Sequence, residues 1–131
     1  MNKTNINEES IKGIAALLVH VANIDEAYTD KEKNIIKDFI ASFSYSESDV
    51  EEVLKEAEKL ESDSIQLLNF TNLVKKESLE LKTEVMEHLW KIIISDKSVD
   101  QYESSLMRRI CGLIYFPDKL SGEIKLKISN Q

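Results

Sequence analysis

Apolar residues recur along this chain at the 3.6-residue period of amphipathic helices, and no stretch alternates as a half-buried strand would. Between Glu8 and Asn23, the residues Ile11, Ile14, Ala15, Leu18 and Ala22 fall on one stripe. A second helix is predicted from Thr29, burying Ile35, Ile36, Phe39, Ile40 and Phe43, with Ser44-Tyr45-Ser46 as its break. A third is expected from Ser48, where Ser48-Asp49-Val50-Glu51 reads as a capping box, with Val50, Val53, Leu54, Ala57 and Leu60 inward. Glu61 to Asp63 read as a polar break before a fourth helix with Leu67, Leu68, Phe70 and Leu73. The fifth is predicted from Ser78 to Ser95. Leu89 to Ile94 are apolar nearly all round, which predicts a central helix touched from several sides. A sixth runs from Asp100 to Tyr115 with Leu106, Ile110, Leu113 and Ile114 inward. Pro117 suits the first turn of a seventh, which carries Leu120, Ile124 and Ile128.

These elements predict an all-α, single-domain bundle of seven helices. Residues 1–7 are expected to be a disordered N-terminal segment, and residues 8–131 the domain. The length of 131 residues suffices for one core, and three Gly and one Pro leave little room for turn-rich β architecture.

Charge narrows the function classes. The net charge is −7, and the densest basic cluster, Lys31, Lys33 and Lys37, is interleaved with Asp30, Glu32 and Asp38. Nucleic-acid binders draw most of their affinity from a basic face, so no nucleic-acid partner is expected. An acidic balance suits cations, or a basic patch on a protein partner. Met1 to Ser10 lack a signal-peptide core, and the apolar runs are too short to span a bilayer. The expected location is cytoplasmic, or peripheral to an inner membrane through a membrane-associated protein partner, without direct insertion.

One acidic pattern occurs twice. Asp25-Glu26-Ala27-Tyr28-Thr29-Asp30-Lys31-Glu32 and Asp96-Lys97-Ser98-Val99-Asp100-Gln101-Tyr102-Glu103 are 71 residues apart, from first acid to first acid and from last to last. Each follows one apolar helical run and opens another. This predicts two related helix–acidic turn–helix units with pseudo-symmetry. Asp25, Glu26, Asp30, Glu32, Asp96, Asp100 and Glu103 supply the oxygen ligands that hard cations such as Ca²⁺ and Mg²⁺ take, although the spacing is not that of an EF-hand. A structural explanation competes. Thr29-x-x-Glu32 fits a capping box, Asp100-x-x-Glu103 is an Asp-headed variant, and acids at a helix start are favoured by the macrodipole. Asp25 and Asp96 lie four residues ahead of the caps and would instead close the preceding helix through turn hydrogen bonds.

Leu89-Trp90, Asp96, Val99-Asp100, Tyr102-Glu103, Leu106 and Arg108-Arg109-Ile110 resemble the second acidic repeat of the tellurite-resistance protein B (TerB) family. Val21-Ala22 and Asp25 to Glu32 are similar to its first repeat. The resemblance covers about Ile11 to Ile128. The same fold occurs in the N-terminal domain of membrane-anchored DnaJ-like co-chaperones, whose His-Pro-Asp signature this chain lacks. The resemblance implies a helical bundle that acts as a cytoplasmic module beside membrane proteins in tellurite, phage and stress resistance, with acidic turns that bind a divalent metal. Where the family commonly places Gly after the first Asp, this chain has Glu26 and Lys97, side chains that forgo the freedom of glycine at positive φ.

The remaining chemistry-bearing residues are sparse. His20 and His88 do not correspond across the repeat, and with Cys111 they make a poor zinc set. They read as partly exposed helix residues. Arg108 and Arg109 could lower the Cys111 pKa, yet a helix position beside Ile110 and Ile114 favours a structural thiol. Trp90 is a core or pocket-wall residue or a docking anchor, and Arg108 and Arg109 are surface ion-pair partners or an anion-binding pair. Trp90, Arg108 and Arg109 are therefore the candidates for partner binding. No catalytic motif occurs, so the expected function is a non-catalytic stress-response adaptor working through an acidic face. The alternatives are a Ca²⁺- or Mg²⁺-responsive module and an enzyme acting on a small anion near the two arginines. A deep pocket joining those arginines to a carboxylate would favour the enzyme.

Overall fold

A computed structural model describes residues 7–24, 28–43, 45–63, 67–95 and 101–130. Among them are seven helices and no strand: α1 (Glu8–Ala22), α2 (Asp30–Ala41), α3 (Glu47–Asp63), α4 (Leu67–Lys75), α5 (Leu79–Ile94), α6 (Gln101–Ile114) and α7 (Asp118–Ser129). The starts follow from local chemistry. Asn7 Oδ1 accepts from Ser10 N at 2.8 Å and Ser78 Oγ from Leu81 N at 3.2 Å, each satisfying a backbone donor that the first turn leaves unpaired. At α2 the predicted capping box forms in full. Glu32 N donates to Thr29 Oγ1 at 3.1 Å, and Thr29 N donates to Glu32 Oε1 at 2.8 Å. The corresponding box at Asp100 lies outside the described residues, as do residues 1–6 of the expected disordered segment.

Two expectations at α3 need correction. Its cap is Ser46 rather than Ser48: Ser46 Oγ accepts from Asp49 N at 3.3 Å, which places Ser48 inside the first turn. Glu61 to Asp63 are not a break but the last turn of this 17-residue helix.

The core is continuous. α1 lies innermost, packed by α2, α3, α4 and α5, while α7 covers α5 and α6 lies on α4. Ile14 to Val19 are apolar all round the helix, and all of them are buried. Its small residues explain this: Ala15, Ala16 and Ala22 let neighbours approach closely, and a Cβ on Gly13 would enter the space of Leu73 Cδ1 on α4. α5 is touched from several sides as its apolar run predicts, by α1, α2, α4 and α7. Phe39, wholly buried, packs edge-on against Phe43 and His88, with ring centroids 5.1 and 5.3 Å away. His88 is therefore a core residue, not a partly exposed one. Its Nδ1 donates to the Glu84 carbonyl at 2.8 Å, and burial holds its pKa below the usual imidazole value. Leu60 and Leu68, predicted inward, are exposed, and Thr71 and Val74 fill the inner face of α4. The two expected repeat units meet different neighbours, since α1 packs on α2 whereas α5 packs on α7.

α6 ends with Tyr115 at φ 60, in the left-handed region that a side chain disfavours. Phe116 N donates to the Cys111 carbonyl at 2.8 Å, the long-range bond of a Schellman ending, so the position calls for glycine. Lys75 over the exposed Tyr115 ring, 5.2 Å from its centroid, offsets little of that strain. Tyr115→Gly is expected to stabilise the domain by about 1 kcal/mol in urea unfolding, and an unchanged or lower midpoint would contradict this reading.

Candidate functional site

The described part of the first acidic turn is held between the C-terminal ends of α1 and α3. Past Asn23, the chain returns at Tyr28, whose ring lies half-buried on the core. Tyr28 Oη donates to Glu58 Oε2 at 2.7 Å. Asn23 Nδ2 donates to Glu61 Oε1 at 3.1 Å, and His20 Nδ1 lies 3.3 Å from Glu61 Oε2. Lys33 Nζ stands 5.0 Å from the Tyr28 ring centroid, a cation–π contact. Glu32, fully buried, closes the capping box beside them. Burial, reinforced by the hydrogen bond to Glu58 and by the charges of Glu58, Glu32 and Glu61, raises the Tyr28 pKa far above the usual tyrosine value. Three carboxylates therefore act on one phenol.

Glu58 and Glu61 were not singled out from the sequence, although a signal was present. The buried stripe of α3 runs through Leu54 and Ala57, and the next steps at helical spacing are Glu58 and Glu61. Carboxylates replace apolar residues on a face that continues inward, and the Glu61 side chain is only 12% exposed. Glu61 also lies in the last turn of α3, which has no basic residue and where the macrodipole disfavours negative charge. Packing and helix electrostatics both argue against acids here, which makes their presence informative.

Of the acids predicted to form a cation site, Asp25, Glu26, Asp96 and Asp100 lie outside the described residues. Asp30 is exposed on the first turn of α2. Glu32 points inward as a cap, and Glu103 is partly buried on α6. α2 packs on α1, α3 and α5, whereas α6 packs on α4 and α7. Among the described residues no three His, Cys, Asp or Glu side chains are grouped to hold a metal ion.

The partner-binding candidates separate. Trp90 is buried, and its Nε1 donates to Ser121 Oγ at 3.1 Å. Lys125 Nζ lies 5.3 Å from its ring centroid. Arg108 and Arg109 are both exposed on α6, but Arg108 alone borders the cleft of about 440 Å³ that reaches Trp90 between α5, α6 and α7. Cys111 is buried, and desolvation pushes its thiol pKa up, as suits the structural thiol expected of it. Neither a neutral buried thiol nor a firmly protonated tyrosine is an activated nucleophile. No described helix is long and apolar enough to cross a membrane.

No curated protein and no solved structure matches the chain. The family model described as tellurite resistance protein TerB matches residues 12–126, and so takes in both the α1–α3 acidic site and the Trp90 cleft. On that match, which spans most of the sequence, the chain belongs to the TerB family.

Proposed function

We propose that this protein is a non-catalytic adaptor in a tellurite-resistance-related stress response, and that it engages a basic patch on a protein partner through the acidic corner formed by α1, α3 and the start of α2. Family membership supports the stress context. One observation carries the choice of corner: Glu58 and Glu61 continue the buried stripe of α3, and Glu61 does so in the last turn, where carboxylates are least favoured. Within the fold these acids meet Tyr28, Asn23 and His20, and the negative charge they add to the corner is what a basic patch would meet. In the sequence, two more acids, Asp25 and Glu26, stand between Asn23 and Tyr28. A partner that is itself membrane-associated would place the chain at the inner surface of a membrane without insertion.

A second reading has its own support. The two acidic turns carry Asp25, Glu26, Asp30, Glu32, Asp96, Asp100 and Glu103, the oxygen ligands that Ca²⁺ and Mg²⁺ take. Calorimetric titration of chelator-stripped protein with Ca²⁺, Mg²⁺ and Mn²⁺ separates the two. The adaptor reading expects no saturable heat up to about 1 mM, whereas saturation at about one or two ions per chain would replace it with a cation-responsive module.

A further inference from the structure

The cleft between α5, α6 and α7 gathers two cationic side chains over an indole ring. Its floor reaches Trp90, and Arg108 and Lys125 stand at its sides with Ser104 and Asp118. Among the described residues neither Arg108 nor Lys125 has a carboxylate within ion-pair distance. Lys125 rests instead against the Trp90 ring, which holds its ammonium near the cleft. Ser104 and Ser121 add hydroxyls to the lining, and Ser121 keeps its O–H to donate while accepting the indole N–H.

A separate observation concerns Gly122. It lies inside α7, where glycine costs about 0.5–1 kcal/mol relative to alanine, and its backbone is ordinary helix. A Cβ there would meet nothing within 4 Å, so no neighbouring element requires the missing side chain. What its absence does leave open is the cleft that Gly122 lines.

We infer that this cleft binds a small organic anion, with its anionic oxygens between Arg108 and Lys125 and a hydroxyl of the ligand against Asp118. The guanidinium fork and the ammonium recognise a carboxylate or a phosphate monoester alike. Asp118 reduces the net charge of the wall, which favours a singly charged carboxylate over a phosphate dianion and favours a ligand that also donates a hydrogen bond. A volume of about 440 Å³ falls in the range of small-molecule sites. This inference is independent of the acidic corner on α1 and α3.

Trp90 is the only tryptophan, so its fluorescence reports on this cleft. The full chain is titrated with D-glycerate, with glycerol 3-phosphate and with uncharged glycerol, against sodium chloride at matched ionic strength. A saturable change with either anion, absent with glycerol and with chloride, is expected, and the tighter of the two names the anionic group. Arg108→Gln should weaken binding about tenfold, the usual scale for one charge-assisted contact. Gly122→Leu should abolish it while melting no lower than the parent chain, because leucine favours helix and its Cβ meets no obstacle. No saturable change with either anion up to about 50 mM, or equal binding by the folded Gly122→Leu variant, would overturn the inference.

Discussion

Phe39→Ala is expected to cost the domain about 3–5 kcal/mol, enough to lower the melting temperature by about 10–20 °C. Phe39 has no exposed surface, and it joins α2 to α5 through the edge-on contact with His88. Removing the ring takes away the transfer free energy of its carbons. It also leaves a cavity walled by Phe43 and His88, which helices fixed on several sides cannot collapse to fill. A domain of this size commonly has 5–15 kcal/mol in total, so one substitution consumes a large share of it. Phe39→Leu, which keeps most of the volume, should lose far less. Calorimetric melting of the three proteins measures the difference, and a drop of less than ~1 kcal/mol for the alanine variant would mean that α2 is not anchored through this ring.

Tyr28→Phe should have the second-largest effect and a distinctive pH dependence. The Tyr28 hydroxyl is the donor that Glu58 meets at 2.7 Å. Its loss leaves a partly buried carboxylate without that bond, an expected cost of about 1–2 kcal/mol once solvent screening at the half-open site is allowed for. The folded protein holds the Tyr28 proton more tightly than the unfolded chain, because burial and the nearby carboxylates disfavour the phenolate. Its contribution is therefore complete below the unfolded tyrosine pKa of about 10, and it is lost as pH rises above that value. Lys12 and Lys37, with pKa values raised by Glu56 and Glu51, lose stability in the same direction in both proteins and cancel in the comparison. Urea midpoints at pH 8 and pH 11 should show the parent chain ahead at the lower pH and the gap closing at the higher. A gap that stays constant would remove Tyr28 from the electrostatics of the corner.

The sequence disclosed the helices better than their surroundings. Thr29 with Glu32, and Ser78, mark helix starts because capping is a local reaction between a side chain and a backbone three residues on. Exposure is not local. Leu60 and Leu68 keep helical spacing with their buried neighbours yet face solvent, because no element passes over them. The innermost position of α1 was signalled by Gly13, Ala15 and Ala16, small residues that count for little in an apolar stripe but decide how closely helices approach. The acidic corner was half legible. Tyr28 and Glu32 lie in the repeat, whereas Glu58 and Glu61 come from a helix 30 residues on, and only folding shows that their stripe points at Tyr28 and His20.

The central claim is that Glu58 and Glu61, besides meeting Tyr28, Asn23 and His20 within the fold, present negative charge to a partner. Its most direct test is tellurite survival of the host when its own copy is replaced by the Glu58→Gln/Glu61→Gln chain, with melting curves of both proteins alongside. The amides keep the size of the side chains and can still accept from Tyr28 and Asn23, and they relieve the α3 terminus of two charges. The account expects a variant that melts within a few degrees of the parent and a loss of survival of about tenfold or more, as when one hot-spot contact is removed. A folded variant with the survival of the parent would contradict it.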